Sequence, residues 1–209
     1  MKLYAFWRST ASWRVRIALN YKNVAYEYVP VHLVKGEQKA DDYLALNPMA
    51  QVPTLVLDDG RQLSQSLAII AYLEDTAPLP SLYPRDPYLR ARARQLSELV
   101  NAGIQPMQNT DTMRQLKAHG VDEKAWLHYF LGRGLDGLEA SAQPHAGKFL
   151  VGDEVSVADV CLVPQLYHAR RFDLDVARWP LLLRVEEACA KLPAFIHAHA
   201  ERQPDAVPQ

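Results

Sequence analysis

Lys2-Leu3-Tyr4-Ala5-Phe6-Trp7-Arg8-Ser9-Thr10-Ala11-Ser12-Trp13-Arg14-Val15-Arg16 begins as an apolar run and breaks into a cluster of hydroxyl side chains. Residues 2–7 suit a strand, and Ser9 to Ser12 offer several N-caps for the segment behind them. There Val15, Ala18 and Leu19 recur at i, i+3 and i+4, one apolar face of a helix. Tyr26 to Val31 predict a second strand, so the opening is β-α-β, a crossover that favours parallel pairing.

After a polar stretch, residues 53–58 and 62–65 flank Asp59-Gly60, the signature of a hairpin that completes a four-stranded sheet. Ser66 is then expected to cap an amphipathic run from Leu67 to Glu74, with Ile69, Ile70 and Leu73 on one face. Pro78, Pro80, Pro84 and Pro87 disfavour both helix and central strand, which makes residues 76–87 a linker. Beyond it strand signals disappear. Residues 89–107, 123–140 and 157–171 carry helical periodicity, interrupted at Gly120, Pro144 and Gly147. The expected architecture is an α/β domain of βαβ-ββα order over residues 1–83 and an all-helical domain over 84–209.

Composition narrows the function. With 209 residues, 49% of them hydrophobic, the chain can fill a sizeable core, and 23 basic against 24 acidic residues leave a net charge of -1. No overall field favours nucleic acid or an anionic membrane, so any bound anion is held locally. No apolar run is long enough to cross a bilayer, and the start reads as a strand rather than a signal peptide, which predicts a cytoplasmic protein. Cys161 and Cys189 lie in apolar helical contexts and read as buried free thiols; no Cys-x-x-Cys pair is present, and no histidine spacing predicts a metal site. Ser156 and Asp159 have the spacing of a capping box, with Val155 and Val160 placed as a hydrophobic staple, and Arg90 and Arg94 read as a solvated or ion-paired face.

Three segments carry chemistry. The turn at Ser9 enters a helix whose first amides and dipole favour an anion, and a hydroxyl placed there can lower a thiol pKa from about 8.5. On spacing alone, capping by Ser9, Thr10 or Ser12 is the better-supported reading. In Asn47-Pro48-Met49-Ala50-Gln51-Val52-Pro53-Thr54, a cis Val52–Pro53 bond would turn the Val52 backbone toward an extended peptide ligand. Gln65-Ser66, at a strand-to-helix junction, offers an amide, a hydroxyl and helix amides to a carboxylate. Together they describe a peptide held by thiol, backbone and carboxylate, which is glutathione.

The run Ser9 to Leu19, the stretch from Leu46 to Thr54, Gln65 to Ile70, Gly103 to Asn109 and Gly152 to Gln165 resemble the zeta-class glutathione transferases, over nearly the whole chain. The resemblance implies a thioredoxin-like first domain, a helical second domain and a homodimer. It places glutathione contacts at Ser9, Thr10, Gln38, Val52, Gln65, Ser66, Gln105 and Asn109, with Ser9 activating the thiol, and puts Arg8 and Arg171 toward the substrate. The implied activity is glutathione-dependent cis–trans isomerisation of maleylacetoacetate to fumarylacetoacetate, in the breakdown of tyrosine and related aromatics. Maleylpyruvate is a rival substrate; conjugation or peroxide reduction, and a non-catalytic binding protein on the same fold, are the other readings. One departure stands out: where the class has Ser-Ser-Cys, this chain has Ser9, Thr10 and Ala11.

Overall fold

The computed structural model of the chain describes residues 1–207. It divides into two compact units, one of Met1–Ser81 with the chain from Lys191 onward, the other of Leu82–Ala190. In the first, β1 (Lys2–Ala5), α1 (Thr10–Tyr21), β2 (Glu27–Pro30), α2 (Asp41–Leu46), β3 (Thr54–Val56), β4 (Gln62–Ser64) and α3 (Ser66–Thr76) follow in turn. The sheet order is β2-β1-β3-β4, with β1 parallel to β2 and antiparallel to β3, and β3 antiparallel to β4. This is the expected βαβ-ββα order. β1 ends earlier than its apolar run because the Ser9 N–H turns back onto the Phe6 carbonyl at 3.0 Å, although Phe6 and Trp7 remain buried. Leu3 and Ala5 of β1, Val15, Ile17, Ala18 and Leu19 of α1, and Ile69, Ile70 and Leu73 of α3 form a core in which none is more than 1% exposed.

Two local expectations are corrected here. The polar stretch before β3 contains a 3-10 turn (Glu37–Lys39) and α2, both too short for periodicity to reveal. Ser66 is the first residue of α3 rather than its cap; Gln65 takes the cap position and its side chain makes no cap bond.

The helical unit contains α4 (Pro87–Glu98), α5 (Thr110–Ala118), α6 (Glu123–Ala142), α7 (Val157–Arg171) and α8 (Pro180–Cys189). Asp86 caps α4 by accepting from the Leu89 N–H, with Pro87 at the first position, where its missing donor costs nothing. The expected helix over 89–107 breaks after Glu98 into a wide π turn (Leu99–Ile104) and a 3-10 turn (Gln105–Gln108) containing Pro106. α6 crosses close by: a Cβ on Gly134 would lie 2.3 Å from Ile104 Cγ1, so only glycine fits. Arg94 lies on the exposed face expected of it, while Arg90 is half-buried. Arg90 donates to the Pro84 and Arg85 carbonyls, and Arg94 lies 5.2 Å from the Tyr83 ring centroid. The helices are accompanied, among the described residues, by an isolated bridge from Ala146 to Gly152. Cys161 and Cys189 are buried, and neither is in a disulfide among the described residues.

The chain from Lys191 onward departs from the expected boundary. α9 (Pro193–Ala198) packs against α1, and the fully buried Arg16 donates to the Ala198 carbonyl at 3.1 Å. Asp205 accepts from the Trp7 N–H at 3.1 Å and the Tyr28 hydroxyl at 2.8 Å. These polar bonds, invisible to periodicity, return the last residues to the α/β unit.

The capping box of α7 is formed. Asp159 is fully buried and accepts from the Ser156 N–H at 2.7 Å, the Ser156 hydroxyl at 2.9 Å and the Leu150 N–H at 2.8 Å. Burial pushes its carboxyl up to about 6, against the pull of these donors. Asp159→Ala strands two buried backbone N–H groups at once, so denaturant unfolding should show a loss of about 3 kcal/mol or more.

Candidate active site

The sheet register gathers the chemical segments. Tyr4 pairs with Thr54, Thr54 with Ser64, and Ala5 with Pro30. The end of β1 that leads into Arg8 and Ser9 therefore lies beside the start of β3, preceded by Val52-Pro53, and one strand further on is the end of β4, followed by Gln65-Ser66. The segment that carries Gln38 leaves β2 from the same end.

Ser9 is the N-cap of α1, and its Oγ accepts from the Ser12 N–H at 3.2 Å. Capping and thiol binding are thus compatible, since a hydroxyl that accepts one bond still has a proton to donate. Thr10 is the first helical residue and buried; Ser12 is buried within the first turn and is not the cap. Arg8 is half-buried, its guanidinium 5.7 Å from the Phe6 ring centroid and 5.4 Å from that of Trp7.

The Val52–Pro53 bond is cis. Among the described residues the Val52 peptide groups have no hydrogen-bond partner, whereas the neighbouring Gln51 carbonyl is fixed by the Tyr43 hydroxyl at 2.6 Å and Asn47 Nδ2 at 2.7 Å. Burial pushes the Tyr43 hydroxyl pKa up, keeping it a donor. Gln65 sits at φ 71 and ψ 116, a strained conformation for a residue with a Cβ. Beside it Ser66 Oγ accepts from the buried Arg14 Nη1 at 3.3 Å, bringing positive charge to the N-terminus of α3. Gln38 is buried, and its Oε1 has no partner among the described residues.

In the helical unit, Gln105 Nε2 donates to Asn109 Oδ1 at 3.0 Å. Behind it Gln108 and Gln165 exchange amide bonds, at 3.1 Å and 2.9 Å, and both are buried. Arg171 closes α7, half-buried, its guanidinium 5.6 Å from the Phe172 ring centroid. Among the described residues no group of three or more His, Cys, Asp or Glu is gathered to hold a metal.

Comparison with known proteins now decides the family. The glutathione S-transferase N-terminal domain matches residues 3–81, and the glutathione S-transferase C-terminal domain matches residues 131–193. A solved maleyl pyruvate isomerase, described as a bacterial glutathione S-transferase of the zeta class, superposes with a TM-score of 0.95 at 43% identity, covering 99% of this chain and 100% of its own. The chain belongs to the zeta class of the glutathione S-transferases. A maleylacetoacetate isomerase of Dictyostelium discoideum is 45% identical over 99% of this zeta-class chain and 96% of its own length. The maleylacetoacetate isomerase of Anaeromyxobacter dehalogenans 2CP-1, solved with dicarboxyethyl glutathione and citrate in its active site, is 47% identical with a TM-score of 0.91, covering 99% and 97% of the two chains.

Reading the sequence of this transferase missed the supports: Tyr43 and Asn47 behind Val52, Arg14 behind Ser66, Gln165 and Gln108 behind Gln105. Asn47 and Arg14 stand inside the motifs, so a polar side chain within an apolar run was the available signal. Substituting Gln65→Gly removes the strain of the positive φ, at about 1–3 kcal/mol, while adding freedom to the unfolded chain. Thermal unfolding should show a net gain of about 1 kcal/mol, and calorimetry a weaker affinity for glutathione.

Proposed function

We propose that this chain is a glutathione-dependent isomerase that converts maleylacetoacetate to fumarylacetoacetate. The observation that carries the reading is the gathering, at one end of one sheet, of a helix-start hydroxyl, an unpaired peptide and a second helix start backed by an arginine. Ser9 holds the glutathione sulfur and, with the amides behind Thr10, favours its thiolate. Val52 pairs with the peptide backbone, and Gln65 and Ser66 take a carboxylate. Gln38, Gln105 and Asn109 complete the contacts to glutathione.

The bound thiolate adds to the cis double bond. A C–S bond forms, and the π electrons move onto the conjugated carbonyl oxygen as an enolate. The former double bond is now single and rotates; the enolate electrons then re-form it in the trans geometry and expel the thiolate. Glutathione is returned unchanged, and no oxidant or proton source is consumed. Positive groups at the substrate carboxylates and the enolate lower the barrier, and Arg8 and Arg171 take that role, since guanidinium binds carboxylate through two parallel bonds. With Ala11 at the position of the class cysteine, the reacting sulfur is that of glutathione. The enzyme works as a homodimer in the cytoplasm, in aromatic amino-acid breakdown; the resemblance to its class supports this setting.

Ala11 also favours a second substrate, maleylpyruvate, whose cis-enedione flanked by carboxylates needs the same groups. Isomerisation of each acid, followed by absorbance with and without glutathione, tests the proposal: a glutathione-dependent rate is expected, and none on either acid would sink it. Arg171→Ala should raise KM for the acid on the order of tenfold or more while glutathione affinity stays near the parent's. Unchanged kinetics would remove Arg171 from the site.

A further inference from the structure

The turn Phe6–Ser9 is held by groups distant in sequence. Arg16 Nη2 donates to the Trp7 carbonyl at 2.7 Å and Nη1 to the Phe6 carbonyl at 3.4 Å, while the Trp7 N–H donates to Asp205 Oδ2 at 3.1 Å. The other carboxylate oxygen accepts from the Tyr28 hydroxyl at 2.8 Å, which ties the turn to β2. The segment carrying Asp205 is itself fixed, because Gln203 Nε2 donates to the carbonyls of His197 at 3.0 Å and His199 at 2.8 Å, and the Ala206 N–H returns to the Gln203 carbonyl at 3.0 Å.

We propose that Asp205 is a positioning residue for the thiol site: its carboxylate clamps the Trp7 peptide, and so sets where the next two residues, Arg8 and Ser9, present their side chains. A charged acceptor gives direction as well as attraction, which apolar packing of a chain end does not. Arg16 holds the carbonyl edges of the turn from inside the fold, and Asp205 holds the N–H edge from the chain end. The site is therefore assembled from both ends of the sequence. This inference rests on Ser9 as the residue that holds the thiol.

Three variants of the full chain test it. Asp205→Ala should lower kcat for glutathione-dependent isomerisation on the order of tenfold or more, since small displacements of a reacting group are costly. Asp205→Asn, which keeps an oxygen for the Trp7 N–H, should recover most of that loss. Tyr28→Phe removes the other bond of the carboxylate and should leave kcat close to the parent's, even where Tm falls. Parental turnover in Asp205→Ala, or equal losses in Asp205→Ala and Tyr28→Phe, would overturn the inference; if the alanine variant does not fold, Asp205→Leu, which also lacks an acceptor but keeps the volume, takes its place against Tyr28→Phe. A parent without glutathione-dependent turnover counts against the proposed function instead. The clamp is then read in the ligand-free protein by amide hydrogen exchange: Ser9 and Ser12 lose protection in Asp205→Ala and keep it in Tyr28→Phe, and unchanged protection in Asp205→Ala refutes it.

Discussion

Arg16 is a guanidinium enclosed by protein, and the arrangement of the α/β unit follows from how it is satisfied. Its donors reach the carbonyls of Phe6, Trp7 and Ala198, so one side chain joins the end of β1, the start of α1 and the last helix. Burial lowers its pKa to about 10, which still leaves it charged at neutral pH. A buried cation with donors unmet is costly, so conformations that swing the turn or the chain end away from it are disfavoured. A rigid turn before Ser9 is the consequence.

Such rigidity matters because the site relies on hydrogen-bond direction. Ser9 accepts from the amide of Ser12, which orients its Oγ and leaves the hydroxyl proton for a ligand at the helix start. The Val52 peptide is presented by Tyr43 and Asn47, which hold the preceding carbonyl. Gln65 remains at a strained φ beside the start of α3, where Arg14 donates to Ser66. Stability is spent on holding polar groups where a peptide can meet them.

What was legible in the sequence divides along physical lines. The strands, α1, α3, α6 and α7 declare themselves by periodicity, and the α7 cap by the Ser156 to Asp159 spacing, because these features are local. The break of the long helix after Glu98 was missed: Leu99 to Gln108 keeps an apolar pattern, while the wide turn is fitted to the close approach of Gly134. The return of α9 and Asp205 to the first unit was missed for a related reason, since its bonds span almost the whole chain. Of the proposed site, Ser9, Val52, Gln65 and Ser66 stand in sequence motifs. Tyr43 and Asp205 lie outside those motifs, while Arg14, Gln108 and Gln165 stand within them as polar members whose long-range partners no local pattern reveals.

The central claim is that Ser9 and the start of α1 convert the glutathione thiol to its thiolate. Titrating the ultraviolet thiolate absorbance of glutathione bound to the parent protein, and to Ser9→Ala, measures this directly. A bound thiol pKa a unit or more below the free value of about 8.5, moving back toward that value in Ser9→Ala, is the predicted result. An unshifted pKa in the parent, or the same depression in both proteins, would contradict it.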